Sequence, residues 1–314
     1  MTLPMGLAQR EVFGRVVTAM ADTDDRIVVL DADVASSTKA DIFEEAHPDR
    51  FLEMGIAEQN MLSVAAGLAT TGLIPFISTF TAFAVVRPLD QIRVQIAQTG
   101  ANVKITPSYA GLFTGSTGMS HIIVDDLAIM RDMPGMIVIA PADDVEAEGA
   151  LRWAAQYDGP VYVRLVRDPT ERVFEPGRVF ELGTTAVLRG GADLTLFSTG
   201  TQTPRTLLAA NLLAERGVDA MVVHVPTIKP LDVAGIVAAA AATGRAMTVE
   251  EHTVYGGLGG AVAETLSEHL PTRLDRIGLC DIYPESGPNA ALLELYGLSP
   301  ERVADQVMTR LASR

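Results

Sequence analysis

Met54-Gly55-Ile56-Ala57-Glu58-Gln59-Asn60 opens a segment rich in small residues, which runs on to Thr79-Phe80-Thr81-Ala82-Phe83. Within residues 51–93 this pattern predicts a helix over 58–71 and a strand over 74–78. A long helix over 82–98 follows, which Pro88 breaks or kinks because it lacks an N–H. Ala65, Ala66, Gly67 and Ala69 leave the first helix open to close approach by another backbone. On local grounds Glu58 is a solvated acid favoured by the helix macrodipole, and Phe80 and Phe83 are core residues.

The same alternation extends in both directions. Val12, Phe13, Val16, Val17 and Met20 recur at helical spacing. Residues 26–30 are a short apolar strand that ends in Asp31-Ala32-Asp33, and binding groups collect at such carboxyl ends in open α/β sheets. Further strands are expected over 103–106, 136–140 and 161–166, with a Gly-rich loop over 108–121 and a helix starting at Asp143. Residues 169–182, with two prolines and mixed charge, separate a first module (1–168) from a second (183–314). The second module predicts strands over 194–198, 220–225, 245–250 and 273–278, with helices between and after them. The fold class is therefore α/β: two serial, mainly parallel modules.

With 314 residues, 48% hydrophobic and 20% charged, each module is large enough to bury a core. A net charge of −15 argues against nucleic acid, since no Lys/Arg stripe is present to replace phosphate counterions. Cys280 is the only cysteine, which excludes internal disulfides and Cys-based metal sites. No basic start followed by an apolar run opens the chain, and 234–242 is too short to span a bilayer. A cytoplasmic soluble protein without membrane or nucleic-acid partners is expected.

No His/Cys/Asp cluster has metal-ligand spacing. Gly256-Gly257-Leu258-Gly259-Gly260 lacks the Lys-Ser/Thr of a P-loop and the spacing of a dinucleotide fingerprint, so it is read as a tight strand-to-helix turn. Arg10, Arg164 and Arg167 are candidate anion ligands, and His121 is a lone histidine in a polar loop.

Taken together, these segments resemble the transketolase family, specifically the C-terminal half that some organisms make as a separate subunit. The resemblance covers nearly the whole chain. Its marks are Arg10-Glu11, Asp31-Ala32-Asp33, Gly55-Ile56-Ala57-Glu58-Gln59-Asn60-Met61, Thr79-Phe80-Thr81-Ala82-Phe83, Asp90-Gln91-Ile92-Arg93, Gly159-Pro160-Val161-Tyr162-Val163-Arg164, Val249-Glu250-Glu251-His252 and Gly256-Gly257-Leu258-Gly259. It implies thiamine diphosphate as cofactor, held between a pyrimidine-binding domain, here the first module, and a diphosphate-binding domain. The Gly-Asp-Gly of that second half, which serves Mg²⁺ and the diphosphate, is absent from the sequence. An N-terminal, diphosphate-binding partner subunit is thus expected to bind most of the Mg²⁺ contacts, in a heterotetramer with two copies of each chain.

The resemblance further implies that Glu58 hydrogen-bonds the pyrimidine ring, with its proton retained in an apolar pocket, and that Ile56, Phe80 and Phe83 line the cofactor. His121 matches a histidine that contacts donor oxygens. Arg10, Ser37 and Arg167 match the grip on the substrate's terminal phosphate. Tyr109 stands where the family often has His, Thr117 where it often has Asp, and Val86 where single-chain members have a third aromatic. These departures imply a sugar donor other than the standard pentose phosphates, either phosphorylated or carrying another anion such as a sulfonate. Alternatives are the beta subunit of a 2-oxoacid dehydrogenase first component, a 1-deoxyxylulose-5-phosphate synthase-like enzyme, and a non-catalytic scaffold subunit. Arg10-Glu11 and Asp31-Ala32-Asp33 favour transketolase over the first of these.

Overall fold

The computed structural model describes residues 3–313; residues 1–2 and 314, the outer ends of the two expected modules, lie outside them. The strands of the first half are β1 (Met5–Ala8), β2 (Ile27–Asp31), β3 (Phe51–Glu53), β4 (Ile74–Ser78), β5 (Lys104–Ile105), β6 (Ile137–Ile139), β7 (Val161–Val163) and β8 (Pro169–Glu171). Those of the second half are β9 (Ala186–Arg189), β10 (Leu194–Ser198), β11 (Ala220–His224), β12 (Thr227–Lys229), β13 (Ala246–Thr253) and β14 (Leu274–Leu279).

Within the described residues β1 and β8 pair antiparallel on their own, and the other twelve form a seven-stranded sheet, β12-β6-β7-β5-β4-β2-β3, and a five-stranded sheet, β14-β13-β10-β11-β9. Within these two larger sheets neighbours run parallel except at the β12 and β9 edges. The mainly parallel architecture is as expected from the alternation of strands and helices. β2 and β4 are buried at every position, which suits central strands covered on both faces. The edges escaped the sequence reading. β12 leaves the second half and pairs antiparallel with β6, and Lys229 at its end donates to the carbonyls of Arg131 and Met133.

Pro88 breaks the long helix as expected. One helical piece spans Thr81–Val85, and the path resumes at Leu89–Gln91 and Ile92–Ala97. The helix Glu58–Ala69 buries Met61, Leu62, Ala65 and Ala66 against the core, while a side chain at Gly67 would meet nothing within 4 Å. The Gly-rich turn is a strand-to-helix connection, not a phosphate cradle. The N–H groups of Leu258 and Gly259, which an anion would need, both donate to the Glu250 carboxylate at 2.8 Å. Burial pushes the Glu250 carboxyl up to about 7, against those two hydrogen bonds.

Candidate active site at the carboxyl ends of the first sheet

β2 lies between β3 and β4, so the strand order reverses at β2 and opens a crevice beyond the carboxyl ends. β4 runs on to Phe80, β5 to Tyr109 and β7 to Arg167, which brings residues far apart in the chain to one rim. Phe80 and Ser108 pair as an isolated parallel bridge, and Thr81 N–H and its hydroxyl both donate to the Ser108 carbonyl at 2.7 Å.

Tyr109 adopts φ +75°, a left-handed conformation that costs a bulky residue about 1–3 kcal/mol. Its ring stacks on Phe80 with centroids 4.0 Å apart. It also lies beneath two guanidiniums, Arg10 at 5.7 Å and Arg167 at 5.6 Å from the ring centroid. Arg10 Nη1 donates to the Tyr109 hydroxyl at 3.0 Å and to the Ser37 backbone carbonyl at 2.8 Å. Ser37 therefore meets Arg10 through its main chain. The Nε groups of Arg10 and Arg167 are buried and have no hydrogen-bond partner among the described residues. Two cationic donors left unpaired in one place suit an anionic ligand.

Beside this pair, His121 lies 5.1 Å edge-on from Phe83 and 5.7 Å from Phe80, and its Nδ1 is 2.9 Å from the Ser120 hydroxyl. Nε2 is the ring nitrogen left for a substrate oxygen. Phe80 and Phe83 are themselves 5.8 Å apart.

Glu58 is 1% exposed, so it is not the solvated helix-start acid that local sequence suggests. Its pocket is not wholly apolar either. Arg87 Nη1 donates to both carboxylate oxygens at 2.7 Å, and the Arg87 guanidinium lies 4.7 Å over the Phe83 ring. Arg87 sits just before Pro88, where the helix break turns it back toward Glu58.

Two expected residues, Ile56 and Thr117, are not drawn into this cluster, and Val86, which stands where relatives have an aromatic, is also outside it. Ile56 is 74% exposed and Val86 is 53% exposed. The Thr117 hydroxyl donates to the Thr114 carbonyl at 2.6 Å, within its own turn. Arg164 is no anion ligand. It is buried, and its Nε and Nη2 grip Asp126 at 2.8 and 3.2 Å. Burial alone would raise the Asp126 carboxyl, but Arg164, together with His252 and the Tyr162 hydroxyl, holds the group below the usual carboxylate range.

The sequence profile described as the transketolase pyrimidine-binding domain matches residues 5–171, and that of the transketolase C-terminal domain matches residues 183–303. This chain belongs to the transketolase family. It is 41% identical to a protein named as a transketolase C-terminal section in Methanocaldococcus jannaschii, across 96% of each chain. It is 40% identical to the 6-deoxy-6-sulfo-D-fructose transketolase subunit of a Clostridium species, across 94% of this chain and 91% of that one. A split-gene transketolase solved as an inactive β4 tetramer superposes with a TM-score of 0.89 at 43% identity, covering 98% of this chain and 99% of that one.

Transketolases are thiamine-diphosphate-dependent transferases, and the site can be tested for fit to that cofactor. In shape and stacking, the Arg87 guanidinium serves as a stand-in for a flat aminopyrimidine, although it donates to Glu58 where the ring nitrogen would accept. It is a planar group with N–H donors that stacks on Phe83 while hydrogen-bonding the buried Glu58. A stacking face and a buried carboxylate set side by side fit the pyrimidine half of the cofactor.

The second half of the chain reaches the loop that carries Tyr109 and His121, which the sequence alone did not reveal. Glu251 on β13 accepts the N–H groups of Leu112 and Phe113 at 2.5 and 3.2 Å and is paired with Arg205. A Cβ at Gly111, with φ +68°, would collide with that carboxylate, so glycine is required there. One signal was legible. Glu250, Glu251 and His252 are consecutive ionisable residues within an apolar strand, and such groups are buried only with partners. Arg87 carried no comparable signal.

Asp31 holds the Ser37 loop. Its carboxylate accepts Val34 N–H at 2.7 Å and the Thr38 hydroxyl at 3.2 Å. Burial pushes it up to about 6 despite those hydrogen bonds. Between about pH 4 and 6 the folded chain thus keeps a proton that the unfolded chain has released, so stability falls as pH rises through this window. Relative to Asp31→Asn, the parent loses on the order of 3 kcal/mol between pH 4 and 7. Urea unfolding of both proteins at the two pH values measures the difference; parallel pH dependences would contradict it.

Proposed function

We propose that this chain is the C-terminal subunit of a split transketolase. With a separate diphosphate-binding subunit it moves a two-carbon ketol unit from an anionic ketose to an aldehyde acceptor. The observation that carries this reading is Glu58, a buried carboxylate beside Phe83, on a chain whose sequence lacks the Gly-Asp-Gly of the other half-site. Exposed Ile56, Val86, Leu89 and Val94 and the open face at Gly67, all in the 51–98 segment that carries Glu58, supply a surface for the partner. We assign residues 1–168 to the pyrimidine-binding module, 169–182 to the linker and 183–314 to the C-terminal module. We place Mg²⁺ mainly on the partner and the assembly, with two copies of each chain, in the cytoplasm. Among the described residues no helix is long and apolar enough to cross a membrane.

Bound thiamine diphosphate supplies the thiazolium carbon that carries the two-carbon unit. Glu58 holds a proton at its carboxyl toward the pyrimidine ring nitrogen, which requires that Arg87 withdraw from both oxygens. Phe83 and Phe80 enclose the ring. His121 Nε2 orients a donor hydroxyl, and Arg10 and Arg167 bind the far anion through their unpaired Nε groups, with Tyr109 and the Ser37 carbonyl fixing Arg10. The relative named for 6-deoxy-6-sulfo-D-fructose supports an anion that need not be a phosphate.

Co-expression with the neighbouring encoded subunit, followed by assay of a ketose and aldehyde panel with thiamine diphosphate and Mg²⁺, tests the proposal. Transfer is expected only from the two chains together, fastest with an anionic ketose other than xylulose 5-phosphate. Fastest turnover of xylulose 5-phosphate with ribose 5-phosphate would overturn the substrate assignment. Pyruvate decarboxylation with a lipoyl acceptor would favour the 2-oxoacid dehydrogenase alternative.

A further inference from the structure

We infer that Asn289, contributed by the second half of the chain, is a positioning residue that keeps Arg167 available to the substrate's anion by holding Asp168 away from it. The inference rests on the reading of Arg167 as an anion ligand. Asp168 is the next residue in the chain and an acid, so it is the natural competitor for that guanidinium. A free carboxylate would take Arg167 in a two-pronged pair and quench it.

No such two-pronged pair forms; the two groups make a single long contact. Asp168 Oδ2 accepts a hydrogen bond from Asn289 Nδ2 at 2.7 Å. Its other oxygen, Oδ1, reaches Arg167 Nη1 only at 3.4 Å, long for a charge-assisted contact. Arg167 Nε is left buried and unpaired, and the guanidinium stays over Tyr109.

Asn289 cannot easily turn away. Its Oδ1 accepts Gly115 N–H at 3.1 Å while Nδ2 also donates to the Phe113 carbonyl at 3.3 Å, which sets the amide orientation. Gly287 N–H donates to the Gly115 carbonyl at 3.0 Å and fixes the same segment. The second half thus carries a residue that tunes the charge of a site built on the first.

Calorimetric titration of inorganic phosphate into the full chain tests this without turnover. Asn289→Ala should weaken phosphate binding roughly tenfold, the value of one hydrogen bond to a charged group. Asn289→Asp should weaken it similarly, because it retains an acceptor for Gly115 but loses the donor to Asp168. Asp168→Asn should bind at least as tightly as the parent, and adding it to Asn289→Ala should restore most of the lost affinity. A purely structural role for Asn289 predicts no such rescue. Parent-like binding by Asn289→Ala, or a double variant as weak as the single, overturns the inference. Arg167→Ala separates the two levels. If it leaves phosphate affinity unchanged, or the parent binds no phosphate, the anion-site reading fails and takes this inference with it.

Discussion

Replacing Glu58 with Gln lowers ketol transfer by the reconstituted pair at least about a hundredfold, the contribution expected of a group that holds or moves a proton at the reacting system. Gln keeps the size and one oxygen of Glu58 but cannot give up or take a proton. The loss should fall on kcat, because the aromatic faces of Phe80 and Phe83 and the arginines assigned above to the far anion are untouched. The fold should tolerate the change. Glu58 gives up its pairing with Arg87, whose side chain is 45% exposed and returns to water at little cost. Steady-state kinetics with a saturating aldehyde acceptor, together with thermal unfolding of the variant chain, provides the check. Near-parental kcat would remove Glu58 from the mechanism and favour the scaffold reading; a collapsed fold would show that its role is structural.

The largest expected effect on stability is at Arg164. Arg164→Met should destabilise the chain by about 3–5 kcal/mol, because Asp126 would be left buried and ionic without its counter-ion. The Tyr162 hydroxyl still donates to Asp126 at 2.6 Å, but one neutral hydrogen bond does not replace a two-pronged guanidinium. Arg164 Nη2 also donates to the Glu251 carbonyl at 3.1 Å, so the loss should loosen the join between the two halves of the chain. Urea unfolding measures it. In the double variant Arg164→Met/Asp126→Leu no charge remains to be stranded, and a good part of the lost stability should return. A single-variant loss below about 1 kcal/mol would contradict the assignment of this pair as a buried structural link.

Central strands were legible because two covered faces demand continuous apolar runs, as in residues 27–30 and 74–77. β9 and β12 were not, since each is an edge strand of three or four residues whose pairing partner lies elsewhere in the chain. The helix break at Pro88 was readable because it follows from a missing N–H. That Arg87, beside the break, would return 29 residues back to Glu58 was not.

The sequence by itself determined the α/β alternation, the position of Glu58 at a helix start followed by Phe80 and Phe83, and the absence of a Gly-Asp-Gly. These follow from periodicity, residue type and order, which are local properties. Only the tertiary structure decided that Glu58 is buried and paired with Arg87. It also decided that Arg10 and Arg167 meet over the Tyr109 ring, that Arg164 belongs to Asp126, and that Glu251 and Asn289 reach the rim from 139 and 121 residues away. The physical reason is that charge pairing and burial are set by which strand ends meet at the rim of the sheet, and sheet order, not chain order, brings them together.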